Sequence, residues 1–186
     1  MRIRHSPSIR KREDFGKLLY KHTKTGLAAE IGTHRAEFAA TLLAHWPEGT
    51  LLCVDPWRRD IEGYRDPIQG GSDRAADFAK AKDRLSSFHD RYVMLRGMSS
   101  EVAPLIVEDS LDMVYIDANH NRKYVKEDLE LWIPKVRTGG IVAGHDFNGD
   151  WEDEVRPVVE AKAEKLGVRD LYFILGDAAS WYFLKP

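Results

Sequence analysis

The sequence predicts a doubly wound α/β fold, a seven-stranded mixed sheet that ends in an antiparallel hairpin. Three observations predict it. Short apolar runs alternate with longer amphipathic stretches along the chain. The first, second, fourth and fifth apolar runs lead directly into glycine, aspartate or histidine. The last two runs are separated only by Gly176-Asp177-Ala178-Ala179, which is too short for a crossover and long enough for a hairpin. Buried parallel strands read as continuous apolar runs, and helices must cover both faces of such a sheet.

Taken in order, the segment through about residue 24 places Phe15, Leu18 and Leu19 on one helical face. Its first residues, with Arg2, Arg4, Arg10, Lys11 and Arg12, read as a loose tail. The division expected is a helical leader over 1–25 and one domain over 26–186. The first strand spans 26–31 and stops at Gly32. A helix with Phe38, Leu42 and Leu43 as its stripe follows and ends before Pro47-Glu48-Gly49. The second strand, 50–54, ends at Asp55-Pro56, because the residue before proline is pushed out of the helical region. A long polar loop, 57–72, comes next, and loops of that length are often binding loops or lids. A helix over 73–88 and a third strand at 92–95 precede a short helix over 99–107. The fourth strand, 113–116, ends at Asp117. A helix over 123–133, a fifth strand at 141–143 ending at Gly144-His145-Asp146, and a helix over 152–166 that Pro157 could bend follow. Strands at 171–175 and 180–184 form the hairpin.

Composition narrows the function classes. The 186 residues suit one domain with a substantial core. A net charge of -2 gives no encouragement to nucleic acid as a partner, whose binders carry a basic surplus. The single cysteine, Cys53, sits in an apolar run and reads as packing; no intrachain disulfide is possible. No stretch approaches the roughly 20 apolar residues of a membrane span, and the basic start lacks the apolar middle of a signal peptide. The expectation is a cytoplasmic protein with no membrane partner.

Ligands on such sheets bind beyond the carboxyl ends of the strands, so the residues there are the candidates. Gly32 lets backbone approach a ligand, although Glu30-Ile31-Gly32-Thr33-His34-Arg35 is not G-x-G-x-x-G and a turn glycine is the plainer reading. Asp55 can accept ribose hydroxyls, or simply precede Pro56 in a turn. Ser99 and Ser100 can cap the short helix, contact a ligand, or both. Asp117-Ala118-Asn119-His120 and His145-Asp146 concentrate polar groups at neighbouring strand ends. Asp117, His145 and Asp146 together suit Mg²⁺, or Mn²⁺ if the nitrogen binds, or else a polar cluster without metal. The sequence has no G-x-x-x-x-G-K-[ST] loop, no G-x-S-x-G turn and no Cys/His zinc pattern.

Four segments carry a resemblance: Glu30-Ile31-Gly32-Thr33, Asp55-Pro56-Trp57, Tyr115 through His120, and Gly139 through Phe147. They resemble the class I S-adenosylmethionine-dependent methyltransferases, whose sheet is Rossmann-like. The nearest branch is the small bacterial enzymes related to catechol, caffeoyl-CoA and macrolide-sugar O-methyltransferases. The resemblance spans about 26–184. It implies S-adenosylmethionine as cofactor and a small-molecule acceptor, and it admits a homodimer. It implies that Gly32, with Glu30 and Thr33 nearby, passes the methionine part of the cofactor. Asp55 would hold the ribose, Trp57 and Ser99-Ser100 would border the adenine, and Asp117 and Asp146 would match metal ligands. His145 stands where that branch often carries a carboxylate. His120 lies near the general-base region, where catechol-type enzymes have lysine, so the base stays open between His120 and His145. Arg35-Ala36 replaces a more flexible pair in the first loop. Arg58, Arg59, Tyr64 and Arg65 of the long loop would shape acceptor choice. The competing readings are a nicotinamide-dependent oxidoreductase and a non-catalytic ligand-binding protein on the same fold.

Overall fold

A computed structural model describes the whole chain except residues 23, 25, 59, 60, 62–72 and 177. The strands are β1 (Arg2–His5), β2 (Leu27–Ile31), β3 (Thr50–Asp55), β4 (Tyr92–Arg96), β5 (Leu111–Ile116), β6 (Val136–Gly144), β7 (Asp170–Ile174) and β8 (Ser180–Leu184). The helices are α1 (Phe15–Lys21), α2 (Glu37–Ala44), α3 (Arg74–Leu85), α4 (Ser99–Val102), α5 (Arg122–Trp132) and α6 (Glu152–Lys165). One sheet runs in the order β1-β7-β8-β6-β5-β2-β3-β4. Strand β8 is antiparallel to both of its neighbours, and every other pairing is parallel.

The doubly wound prediction holds because the strands alternate between two cores. Along β3, Leu51 and Cys53 face one core while Leu52 and Val54 face the other. Along β5, Met113 and Tyr115 alternate with Val114 and Ile116 in the same way. Phe15 and Leu19 of α1, Leu42 of α2 and Leu85 of α3 cover the first face. Val102 of α4, Leu129 and Trp132 of α5 and Val159 of α6 cover the second. Helix α3 starts where Asp73 accepts hydrogen bonds from the Ala75 and Ala76 amides. Helix α6 is unbroken across Pro157.

The sheet has one strand more than the sequence suggests. Residues 2–5 are not a loose tail but pair with β7 as β1. Their charges disguise the strand, yet an exposed edge is where charged residues are tolerated in a sheet. Arg2 Nε donates to Asp170 Oδ1 at 2.8 Å, and the His5 ring lies 4.1 Å from that of Phe173. Strand β6 is also longer than 141–143, beginning at Val136.

Strand order reverses between β2 and β5: β3 and β4 lie to one side, β6 to the other. The register there sets the site. Ile31 pairs with Val54 and with Ile116, and Ile116 pairs with Gly144. The residues that follow, Gly32, Asp55, Asp117 and His145, therefore leave the sheet at one level beside the switch point.

Candidate active site

The first strand–helix turn is built tightly. Gly32 has φ +93°, and a Cβ placed there would lie 2.1 Å from the Asp117 carbonyl oxygen. The turn manages with this one glycine because its strained residues are held. His34 and Ala36 have φ of 49° and 60°. Asp77, buried on α3, accepts from Arg35 Nε at 2.6 Å and lies 3.4 Å from His34 Nε2. Trp57 Nε1 donates to the His34 carbonyl at 2.7 Å. Backbone in this region costs about 1–3 kcal/mol per residue and persists where surrounding contacts over-determine it.

A cleft opens at the switch point between Gly32, Asp55, Gly97, Ser99, Asp117 and Asp128. Asp55, in its lining, is locked in place. Its Oδ2 accepts from the His34 amide at 2.9 Å and its Oδ1 from the Trp57 amide at 2.7 Å. Burial pushes its carboxyl up, against the pull of those two amides. A carboxylate has about four acceptor positions, so two remain for ligand hydroxyls. Under the Gly32 turn, Glu30 is 2% exposed, and its Oε2 has no hydrogen-bond partner among the described residues. Burial holds the Glu30 carboxyl well above its usual range.

Across the cleft, Ser99 Oγ donates to Asp128 Oδ1 and accepts from Trp132 Nε1 at 2.8 Å. Burial pushes the Asp128 carboxyl up to about 7, with the Ser99 hydrogen bond opposing. Asp128 is a cleft residue that strand-end reasoning misses. The signal was its spacing: it falls on the buried stripe Val125, Asp128, Leu129, Trp132 of an amphipathic helix.

Next to this cleft lies a cluster of carboxylates and imidazoles. His120 Nε2 is 2.9 Å from Asp146 Oδ2 and 3.5 Å from Asp117 Oδ1. His145 Nδ1 is 3.3 Å from Asp146 Oδ2 and 3.8 Å from Asp117 Oδ1. Asp146 has φ 56°, another strained backbone at the strand ends. Burial would lower the His120 pKa, but its bonds to Asp117 and Asp146 raise it to about 10. Burial would raise Asp146, but His120 and His145 hold it well below the usual range. Arg12, from the segment before α1, places a guanidinium nitrogen 3.5 Å from Asp117 Oδ2. Its guanidinium also lies 5.3 Å from the centre of the Phe38 ring. The basic run at the chain start gave no sign of that destination.

The expected set of Asp117, His145 and Asp146 gains a further neighbour, His120. The donor atoms within 4.8 Å of one another belong to Asp117, His120 and Asp146, with His145 alongside rather than in the triad. The imidazole nitrogen of His120 reaches both carboxylates because residues 117–120 fold back at the end of β5. Two carboxylate oxygens and one nitrogen fit a divalent ion, and the nitrogen favours Mn²⁺ over Mg²⁺.

The other predicted positions separate. Gly32, Asp55, Ser99 and Asp117 line the cleft. Glu30 and Thr33 are buried beneath it and Ser100 is exposed on α4. The Trp57 ring is 1% exposed and sits 5.0 Å from the Phe78 ring, so it supports the turn from inside the core instead of bordering the cleft. Ser99 and Ser100 make no side-chain cap; the α4 start is closed by Glu101, which accepts from the Met98 amide at 2.8 Å. Of the long loop, Arg58 and Ile61 line this same cleft, while Arg59, Tyr64 and Arg65 lie outside the described residues. Among the described residues no helix is long and apolar enough to cross a membrane.

Comparison with known proteins bears on the family and the fold. A curated relative, the uncharacterized protein y4gI of Sinorhizobium fredii, is 26% identical over 154 residues, which is 77% of this chain. The chain spans only 15% of that relative's length. The O-methyltransferase TomG of Streptomyces achromogenes, solved in complex with S-adenosylmethionine, has a TM-score of 0.62 at 16% identity. That match covers 94% of this chain and 80% of TomG. An O-methyltransferase of Bacillus cereus, solved with S-adenosylhomocysteine, has a TM-score of 0.66 at 16% identity, covering 97% of this chain and 82% of that one. At such identity these structures show the shared fold. The sequence profile of a family described as a methyltransferase domain matches residues 29–147, well over half the chain. The chain therefore belongs to the methyltransferase domain family, on the fold of the class I S-adenosylmethionine-dependent enzymes.

Proposed function

We propose that this chain transfers a methyl group from S-adenosylmethionine to a hydroxyl oxygen of a small molecule. One observation carries the reading. Asp117 lines the cleft that holds Gly32 and Asp55, and the same Asp117 is 3.8 Å from His145 Nδ1. A nucleoside held by Asp55 and passed over Gly32 would end beside a histidine oriented by carboxylates. TomG and the Bacillus cereus enzyme, on the same fold, were solved with this cofactor and its product.

Bound S-adenosylmethionine would supply a sulfonium methyl, which is already electrophilic. The residues must then position the acceptor and take its proton. The two acceptor positions left on Asp55 suit the ribose hydroxyls, and the orphaned Glu30 oxygen suits an ammonium or water beneath Gly32. His145 is our choice for the base. Its Nδ1 faces Asp146, which leaves Nε2 as the nitrogen that receives the acceptor proton. His120 directs Nε2 at Asp146 and is a positioning residue. Transfer would exchange the methyl group's carbon–sulfur bond for a carbon–oxygen bond, and His145 would hold the acceptor's proton. A divalent ion on Asp117, His120 and Asp146 would, when bound, lower the pKa of an adjacent hydroxyl.

Calorimetric titration of the folded protein with S-adenosylmethionine, with NADH as control, tests the reading. Micromolar binding of the first and none of the second is expected. Heat from NADH alone would return the oxidoreductase reading, and no heat from either would leave the non-catalytic one.

A further inference from the structure

A second cleft opens beside His145. Its lining includes Lys11, Arg12, Glu13, His145, Ile174 and Leu175. It sits at the carboxyl end of β7 and the start of β8, the same end of the sheet as the first cleft, and His145 belongs to both the cluster and this wall. Two of its lining residues are large and apolar: Ile174 is buried, and Leu175 is 61% exposed. The rim comes from the segment before α1. That segment, residues 1–14, holds five Lys and Arg against Glu13 and Asp14, with Arg2 and Arg4 paired to Asp170 and Arg12 to Asp117. Of the described residues lining the cleft, Lys11 and Arg12 are the cations and Glu13 is the carboxylate.

These features fit a ligand with two parts. A hydroxyl must reach His145. The remainder must lie along Ile174 and Leu175 and place a charge at the Lys11–Arg12 rim. Arg12 is within reach of both Asp117 and the cleft, so its guanidinium can bridge the cluster and an incoming anion. A basic rim would also concentrate anionic ligands at the cleft mouth. Resting on the methyltransferase reading above, we infer that this second cleft is the acceptor subsite, and that its acceptor joins a hydroxyl to a carboxylate across an apolar body.

The test uses the whole protein and a matched pair of probes, 4-hydroxybenzoate and 4-hydroxybenzyl alcohol, which differ mainly in charge. Each is titrated calorimetrically after saturation with S-adenosylhomocysteine, whose own binding is measured first. The acid should bind at least tenfold more tightly than the alcohol. The preference should fall to near unity in Lys11→Gln/Arg12→Gln, while Ala178→Trp, which fills the cleft, should abolish binding of both probes. S-adenosylhomocysteine affinity should survive in Lys11→Gln and in Ala178→Trp, which separates a lost acceptor subsite from a misfolded chain. Equal affinity for the two probes, no binding of either, or an acid preference that outlasts the charge removal would overturn the inference and leave the methyltransferase reading standing. Failure of S-adenosylhomocysteine itself to bind the folded protein would remove both.

Discussion

Gly32 and Asp117 meet backbone to backbone across the switch point of the sheet. The Asp117 amide donates to the Ile31 carbonyl at 2.8 Å, and the Asp117 carbonyl occupies the space where a Gly32 side chain would go. Two adjacent parallel strands thus close to a distance that only glycine permits, and the cleft forms where their continuations diverge.

Replacing Gly32 should therefore damage both fold and cleft. Gly32→Ala adds a Cβ into backbone at a φ of +93°. A loss of about 1–3 kcal/mol from conformation is expected, before any steric displacement. Urea denaturation measures it, and an unchanged midpoint would mean the turn relaxes freely.

Asp55 should govern cofactor affinity. Asp55→Ala removes the acceptor of the His34 and Trp57 amides as well as the proposed ribose contact. At least a tenfold loss of S-adenosylmethionine affinity is expected, about 1.4 kcal/mol or more. Asp55→Asn, which keeps one acceptor oxygen, should fall between. Wild-type affinity in Asp55→Ala would show that the ribose lies elsewhere.

Asp128 makes stability depend on pH with a sign opposite to that of a salt-bridged carboxylate. Its folded pKa, about 7, exceeds the ordinary value of 3.8, so the folded chain holds the proton more tightly than the unfolded chain does. Below about pH 4 the group is neutral in both states and costs nothing. Between about pH 4 and pH 7 its contribution turns unfavourable as pH rises, and above that the full cost is present. Asp128→Asn should flatten this part of the profile, seen as a smaller fall in the urea midpoint between about pH 5 and pH 8 than in the wild type. Parallel profiles would show that Asp128 is ionised in the fold throughout.

His145→Gln should lower kcat by roughly 10²–10⁴, the range for a lost general base, with the S-adenosylmethionine dissociation constant changed by less than threefold. His120→Gln should act more weakly, since it orients Asp146 and does not receive the proton in our scheme. A larger loss from His120→Gln than from His145→Gln would reverse their roles.

Much of this was legible in the chain itself, for a physical reason. Apolar runs, their lengths and the residues that stop them are local features, so the helices, seven of the strands and the set of strand ends could be read directly. Gly32, Asp55, Asp117 and Asp146 all stand where those local rules place them. Tertiary structure decided what depends on distance in space. Residues 2–5 became a strand only because the β7 edge was there to pair with. Trp57 went into the core because α3 offered Phe78. Asp128 reached the cleft because α5 lies over the β5 side of the sheet and Ser99 meets it there. His120 joined Asp117, His145 and Asp146 because three residues of loop fold back on the strand that precedes them. Arg12 reached Asp117 from more than a hundred residues away, and no periodicity records such a contact. Local pattern specifies which groups leave the sheet; register and loop path specify which of them meet.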